Sequence, residues 1–179
     1  MKKILRKQLL NRRKIHYLEI SSNHIINIFE LIKKKYKNIK VIGGYVPINY
    51  EIDSLIILKQ LEKSGHKISL PITRKGSKMD FFEWSSKEPL LIGKIGIPEP
   101  LPKKKVYPDI LLVPLVAFNK YKFRLGYGGG YYDRYIQKMK KIKKIFTIGL
   151  AFSFQEVSNL PITEYDKKLD FIFTEDCIK

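Results

Sequence analysis

A chain of 179 residues with 44% hydrophobic content is long enough to bury one full core without staples, which excludes disorder and disulfide-built miniature scaffolds. Its one cysteine, Cys177, cannot form an internal disulfide, and no Cys/His cluster spaced for a metal occurs, so a reducing, cytoplasmic setting is expected. The formal charge of +18 favours anionic ligands, but only six of the 35 cationic residues are arginine, and no RNA-recognition or zinc-finger signature accompanies the lysines.

Apolar spacing predicts helices over about 2–18 and 22–37. The first residues lack the apolar stretch of a signal peptide, and nothing approaches the ~20 apolar residues of a membrane span. Lys40–Val46 reads as a strand ending at Pro47, and Ile52–Ser64 as a helix stopped by Gly65. Lys67–Pro71 and Met79–Trp84 read as strands, the second alternating. Residues 85–108 form a long Pro- and Gly-bearing connection, of a length that often carries function. A buried strand at Asp109–Val113, a helix from Tyr131, and strands at Phe146–Ala151 and Asp170–Thr174 follow. Strands alternating with helices predict a single-domain, three-layer α/β/α fold around a central, largely parallel sheet. The runs Lys33–Lys35, Lys103–Lys105 and Lys138–Lys144 read as solvated surface. His16, His24 and His66 also read as surface residues.

The most informative segment is Arg124-Leu-Gly-Tyr-Gly-Gly-Gly-Tyr-Tyr-Asp-Arg134. Four glycines in five positions free the backbone N–H groups to turn toward an anion, and a helix N-terminus adds unpaired donors and a positive dipole end. Two arginines bracket the loop, and Asp133 falls in the first helical turn. No Lys-Ser/Thr follows the glycines, which excludes a P-loop, and a polar segment separates them from the preceding strand, unlike a dinucleotide fingerprint. Glycines alone suit a hairpin or a helix cap equally well; Arg, Tyr-Tyr and Asp together point to a nucleotide with its magnesium. On the first helix, Lys3, Arg6, Lys7, Arg13 and Lys14 share an arc of about 120°. That arc is either a wet face or a cover for phosphates.

These stretches resemble the 5-formyltetrahydrofolate cyclo-ligase family. The carrying residues are Leu112–Asn119 and Arg124–Tyr135. Lys3–Lys7, Gly96-Ile-Pro-Glu-Pro100, Thr147–Phe152 and Leu160–Asp166 support them, in the family's order. The resemblance implies ATP-dependent conversion of 5-formyltetrahydrofolate to 5,10-methenyltetrahydrofolate, ADP and phosphate, with Mg²⁺. ATP contacts are implied at Lys2, Lys3, Ile4, Leu5 and Arg6, and at Arg124, Leu125, Gly126, Tyr127, Gly128, Gly129, Gly130, Tyr131 and Tyr132. Folate contacts are implied at Val46, Glu51 and Tyr127–Tyr131, and Trp84 is a candidate platform for the ring. Arg124, Tyr131 and Asp133 carry the catalytic assignment, with Asp133 and Asp166 on the metal.

Each assignment has a plainer counterpart: a dipole-favoured first-turn acid for Asp133 and for Glu51, a turn acid for Asp166, and core packing for Trp84 and Phe82. The chain departs from the family at Ile72, where Pro-Arg is usual, at Asn119, where Asp is common, and at Val116, where Gly is frequent. A monomer acting on small molecules is expected, with no nucleic-acid or membrane partner. The alternatives are a basic nucleic-acid-binding module, or another phosphate-ligand enzyme on a similar layered fold.

Overall fold

The structure is a computed structural model that describes residues 2–17, 30 and 39–179. Its elements run α1 (Lys2–Ile15), β1 (Val41–Gly43), α2 (Ser54–Lys63), β2 (Lys67–Arg74), β3 (Lys78–Trp84), β4 (Leu91–Ile92), β5 (Pro98–Glu99) and β6 (Lys105–Val106). There follow β7 (Ile110–Pro114), β8 (Ala117–Phe118), β9 (Arg124–Leu125), α3 (Tyr131–Ile142), β10 (Phe146–Leu150) and β11 (Phe171–Phe173). The helix expected at 22–37 lies outside the described residues.

Seven strands form the main sheet in the order β11-β10-β7-β1-β2-β3-β6. The four pairings from β11 to β2 are parallel, whereas β3 and β6 add antiparallel at one edge. The centre of this mixed sheet is covered on both faces, and β7 shows why. Its residues alternate sides, as every strand's must. Ile110 and Leu112 join Ile57, Leu58 and Leu61 of α2 on one face, while Leu111 and Val113 join Ile136 and Met139 of α3 on the other. A strand buried on both sides has to be apolar throughout, hence the unbroken run Ile-Leu-Leu-Val. Each such side chain contributes about 1.5–3 kcal/mol through burial.

Helix α2 begins at Asp53, whose carboxylate accepts from the Leu55 N–H at 2.8 Å, and ends ahead of Gly65. In α3, Tyr135, Ile136 and Met139 are buried, and its last turn carries Lys140 and Lys141 into solvent. The lysine run at 103–105 is exposed, and its members pair with Glu88, Glu83 and Asp80 in turn, the last also reached by Lys138. Exposed pairs of this kind contribute at most about 1 kcal/mol each, so this run is solvated surface. Helix α1 leans through Leu5, Leu9 and Leu10 on Val116, Ala117 and Leu125, the base of the β8–β9 hairpin. The connection at 85–108 is not structureless: β4 and β5 pair as a hairpin and β6 joins the main sheet.

Candidate active site

The sheet order reverses direction between β1 and β7, since the chain proceeds from β1 outward to β2 and later returns to the other side of β1. Loops leaving the carboxyl ends of two such strands diverge and open a crevice. A cavity of about 400 Å³ lies there, reached by Tyr45, Val46 and Glu51 after β1, by Pro114 at the end of β7, and by the whole segment Arg124–Asp133. Lys2 and Arg6 of α1 and Asp166 complete one side; Pro71, Thr73, Met79, Ile95, Ile97, Pro98 and Glu99 form the other.

The glycine loop is held from outside by its carbonyls. Arg6 Nε donates to Gly126 O at 2.7 Å, and Arg134 donates to Gly129 O and, at 3.3 Å, to Ser77 O. Gly128 has φ 107°, and a Cβ there would meet the Arg6 guanidinium at 3.3 Å. Gly130 has φ 64° and caps α3 with no side-chain hydrogen bond. A side chain at either position would be strained and in the way of a guanidinium. The uncapped helix end leaves its first N–H groups available to an anion.

Arg124 is 6% exposed, and its Nη2 lies 2.9 Å from Asp133 Oδ2. That is an ion pair by distance alone: Nε and Nη2 have no hydrogen-bond partner. Buried guanidinium donors without acceptors are costly unless a ligand completes them. The other Asp133 oxygen accepts from the Lys167 N–H at 3.1 Å. Asp166 bonds Lys2 Nζ at 2.6 Å and the Thr163 N–H at 2.7 Å. Burial works to raise the Asp166 carboxyl, but these hydrogen bonds outweigh it and hold it below the usual range.

Among the described residues no group of three or more Asp, Glu, His or Cys is placed to cage a metal. Two carboxylates on one cavity, each beside a cation, suit a magnesium that arrives with phosphate oxygens, since Mg²⁺ commonly takes only one or two protein carboxylates. Asp133 and Asp166 are the residues that would hold it.

Also lining the cavity, Glu51 is 5% exposed. Its Oε2 accepts from the Ile48 N–H at 2.9 Å and its Oε1 has no partner. Burial pushes its carboxyl up to about 7, against the Ile48 hydrogen bond, the charge of Arg13 and the nearby Tyr127 hydroxyl. Tyr132 also lines the cavity with an unpartnered hydroxyl. Burial and then the Glu51 charge push that phenol far up, so it stays a donor.

Several expectations are corrected by position. Trp84, expected beside the folate, is buried in the α2-side core and its indole N–H donates to Glu88 O at 3.2 Å; it does not line the cavity. Lys3 and Ile4 are exposed and Leu5 packs in the core, so of the 2–6 segment only Lys2 and Arg6 reach the cavity. This follows from helical periodicity, since residues four apart share a face. Arg13, grouped with the basic face, is 1% exposed beneath the loop. Arg74 and Lys75, the nearest cations in sequence to Ile72, are both exposed and do not line the cavity, so neither takes the place of the family's arginine there.

Asn119 holds the β8–β9 turn by accepting from the Tyr121 and Phe123 N–H groups, each at 3.1 Å. Val116 fills the core under α1. Glu99 was not assigned a role by sequence, although it stands in the Gly96–Pro100 stretch. It is 9% exposed and accepts from Thr73 N–H and Oγ1 at 2.8 and 2.6 Å, fixing the β4–β5 hairpin beside the cavity.

Comparison with known proteins is consistent along the length of the chain. A 34% identical relative from Haemophilus influenzae, a 5-formyltetrahydrofolate cyclo-ligase, aligns with 83% of this chain and 80% of its own. The Escherichia coli K12 enzyme of the same name is 33% identical over 74% of this chain and 76% of its own. Among solved structures, the 5,10-methenyltetrahydrofolate synthetase of Aquifex aeolicus superposes with a TM-score of 0.82 at 30% identity, covering 99% of this chain and 91% of that one. A Mycoplasma pneumoniae 5,10-methenyltetrahydrofolate synthetase gives 0.77 at 26% identity, over 97% and 98%. With the 5-formyltetrahydrofolate cyclo-ligase family model matching residues 1–175, the chain belongs to that family.

Proposed function

We propose that this cavity converts 5-formyltetrahydrofolate to 5,10-methenyltetrahydrofolate with consumption of MgATP. The observation that carries the reading is the buried Arg124 guanidinium, whose Nε has no acceptor and whose Nη2 meets only Asp133, beside an uncapped helix end in the cavity that also contains Glu51. One end is prepared for phosphate. The other is prepared for a ring that presents adjacent N–H donors.

The formyl oxygen attacks the γ-phosphorus and ADP departs; N10 then closes on the activated carbon and phosphate leaves. Phosphoryl transfer of this kind asks the protein for positioning and charge neutralisation rather than a nucleophilic side chain. Lys2 and Arg6 of α1 and Arg124 of β9 supply positive charge, and the glycine-loop N–H groups supply fixed dipoles. A magnesium ion held by Asp133 and Asp166 would neutralise phosphate charge. Glu51 accepts from the pterin N–H groups when ionised, and the Tyr132 hydroxyl is a donor placed in the same cavity.

The test is the near-ultraviolet absorbance of purified protein with 5-formyltetrahydrofolate and MgATP, against a control without ATP. Growth of the methenyl band only with ATP is expected. A flat trace from folded protein overturns the reading.

A further inference from the structure

Among the described residues Arg13 is the largest side chain less than 2% exposed, and the chemistry above does not use it. Its donors reach three separate segments around the cavity. Nε donates to Asn49 O at 2.8 Å, Nη1 to Leu115 O at 3.0 Å, and Nη2 to the Tyr127 hydroxyl. Its guanidinium carbon also lies 5.9 Å from the Tyr127 ring centroid. A buried guanidinium whose hydrogen bonds go to two carbonyls and a phenol, with the Glu51 carboxylate near enough to feel its charge, is an expensive tether for a purely structural purpose.

What it tethers is informative. Asn49 and Tyr50 both adopt positive φ, 48° and 62°, directly before Glu51. Such backbone persists in non-glycine residues only where the surroundings hold it. Arg13 is one such constraint, and the Ile48–Glu51 hydrogen bonds are the others. Tyr127 belongs to the glycine loop, 38% exposed, and is free to move if its hydroxyl is released. One rigid fork therefore joins the turn that presents Glu51 to the loop that faces the phosphates.

We propose that Arg13 is a positioning residue that keeps the Glu51 turn and the glycine loop in register, through Asn49 O and the Tyr127 hydroxyl, so that folate and nucleotide bind with positive coupling. The inference rests on the functional reading above. A ligand that orders either segment lowers the cost of ordering the other, because both hang on the same guanidinium.

The experiment is calorimetric titration of MgADP, which cannot phosphorylate, with and without saturating 5-formyltetrahydrofolate, and the reciprocal titration. In the unmodified protein each ligand is expected to tighten the other by the same factor, about 5-fold or more. Tyr127→Phe keeps the ring and removes the hydroxyl that accepts from Arg13 and also meets Glu51 and Asn49. The coupling factor is expected to fall toward one whatever the change in each single-ligand Kd, because the factor is a ratio in which that change cancels. Arg13→Lys keeps the charge but not the fork and is expected to lose the coupling as well, and the double variant should be no worse than the poorer single one. Should Arg13→Lys fail to fold, Tyr127→Phe alone decides. Both ligands binding without coupling, or coupling unchanged in Tyr127→Phe, overturns the inference and leaves the functional reading standing. Failure of 5-formyltetrahydrofolate to bind the unmodified protein overturns both.

Discussion

The two ends of the cavity are prepared in opposite ways. At the glycine loop, backbone is stripped of side chains, carbonyls are pinned from outside by Arg6 and Arg134, and cations crowd the space. At Glu51 a single acid is cut off from water, with one oxygen bonded and one left open. The first end raises affinity by concentrating positive charge where an anion will sit. The second works by scarcity, since a lone carboxylate in a low-dielectric pocket gains most from the one ligand that offers it paired N–H donors. An enzyme that holds a triphosphate and a nearly neutral ring together, as proposed above, needs both designs in one crevice.

The sharpest way to break the comparison is Arg124→Ala. Removing the buried cation takes away the unpartnered Nε donor and leaves Asp133 without its ion pair. Turnover should fall about 10³-fold or more, with a thermal melt confirming the fold. A loss under tenfold would mean the phosphates are held elsewhere.

Next in size is Asp133→Asn. We expect kcat to drop about 10²-fold and the Mg²⁺ concentration for half-maximal rate to rise, because a carboxylate is exchanged for a poorer hard-metal ligand. An unchanged Mg²⁺ requirement would return Asp133 to the dipole-favoured first-turn acid.

Glu51→Gln probes the other end. It should raise the KM for folate about 10- to 100-fold with little change in the KM for MgATP, the range expected for a charged hydrogen bond. In the unmodified protein that KM should rise as pH falls below about 7, where Glu51 takes up its proton, and the variant's should not. Stability runs the other way. The folded carboxyl titrates near 7 and the unfolded one near 4.5, so the native state holds the proton longer and loses stability as pH rises between those values. The ligand-free variant should therefore gain up to about 3 kcal/mol relative to the parent at pH 8, read by denaturant unfolding.

The smallest effect is assigned to Trp84→Phe. As a core residue it should cost about 1–2 kcal/mol of stability and leave both KM values within twofold. A tenfold rise in the folate KM without loss of stability would place the indole on the ring after all.

Much of the architecture was legible in local pattern. The run Ile110–Val113 could only be a strand covered on both sides, and the helix from Tyr131 declares its start by the loss of glycine and its buried face by Tyr135, Ile136 and Met139. The glycine loop was legible as an anion cradle because the absence of side chains is itself a local property. Less was legible about edges. The antiparallel joining of β3 and β6, and the hairpin inside 85–108, depend on which distant segments lie alongside.

Arg13 and Trp84 mark where local reading stops. A helical wheel places Arg13 on the side of Lys3 and Lys7, but a wheel says only which direction a side chain takes, not what covers it. The β8–β9 hairpin and the glycine loop arrive over that side from more than 100 residues away, with Leu115 and Tyr127 bonded to the guanidinium. Trp84 and Phe82 share a strand face by the period of two, yet whether that face meets ligand or core was settled by where α2 packs. Glu51 shows the same division: its charge and its place after β1 are written in the chain, whereas its shift toward 7 comes from desolvation by neighbours assembled from elsewhere. Periodicity, glycine content and residue chemistry are short-range and survive in the bare string. Burial is long-range, and only the assembled fold creates it.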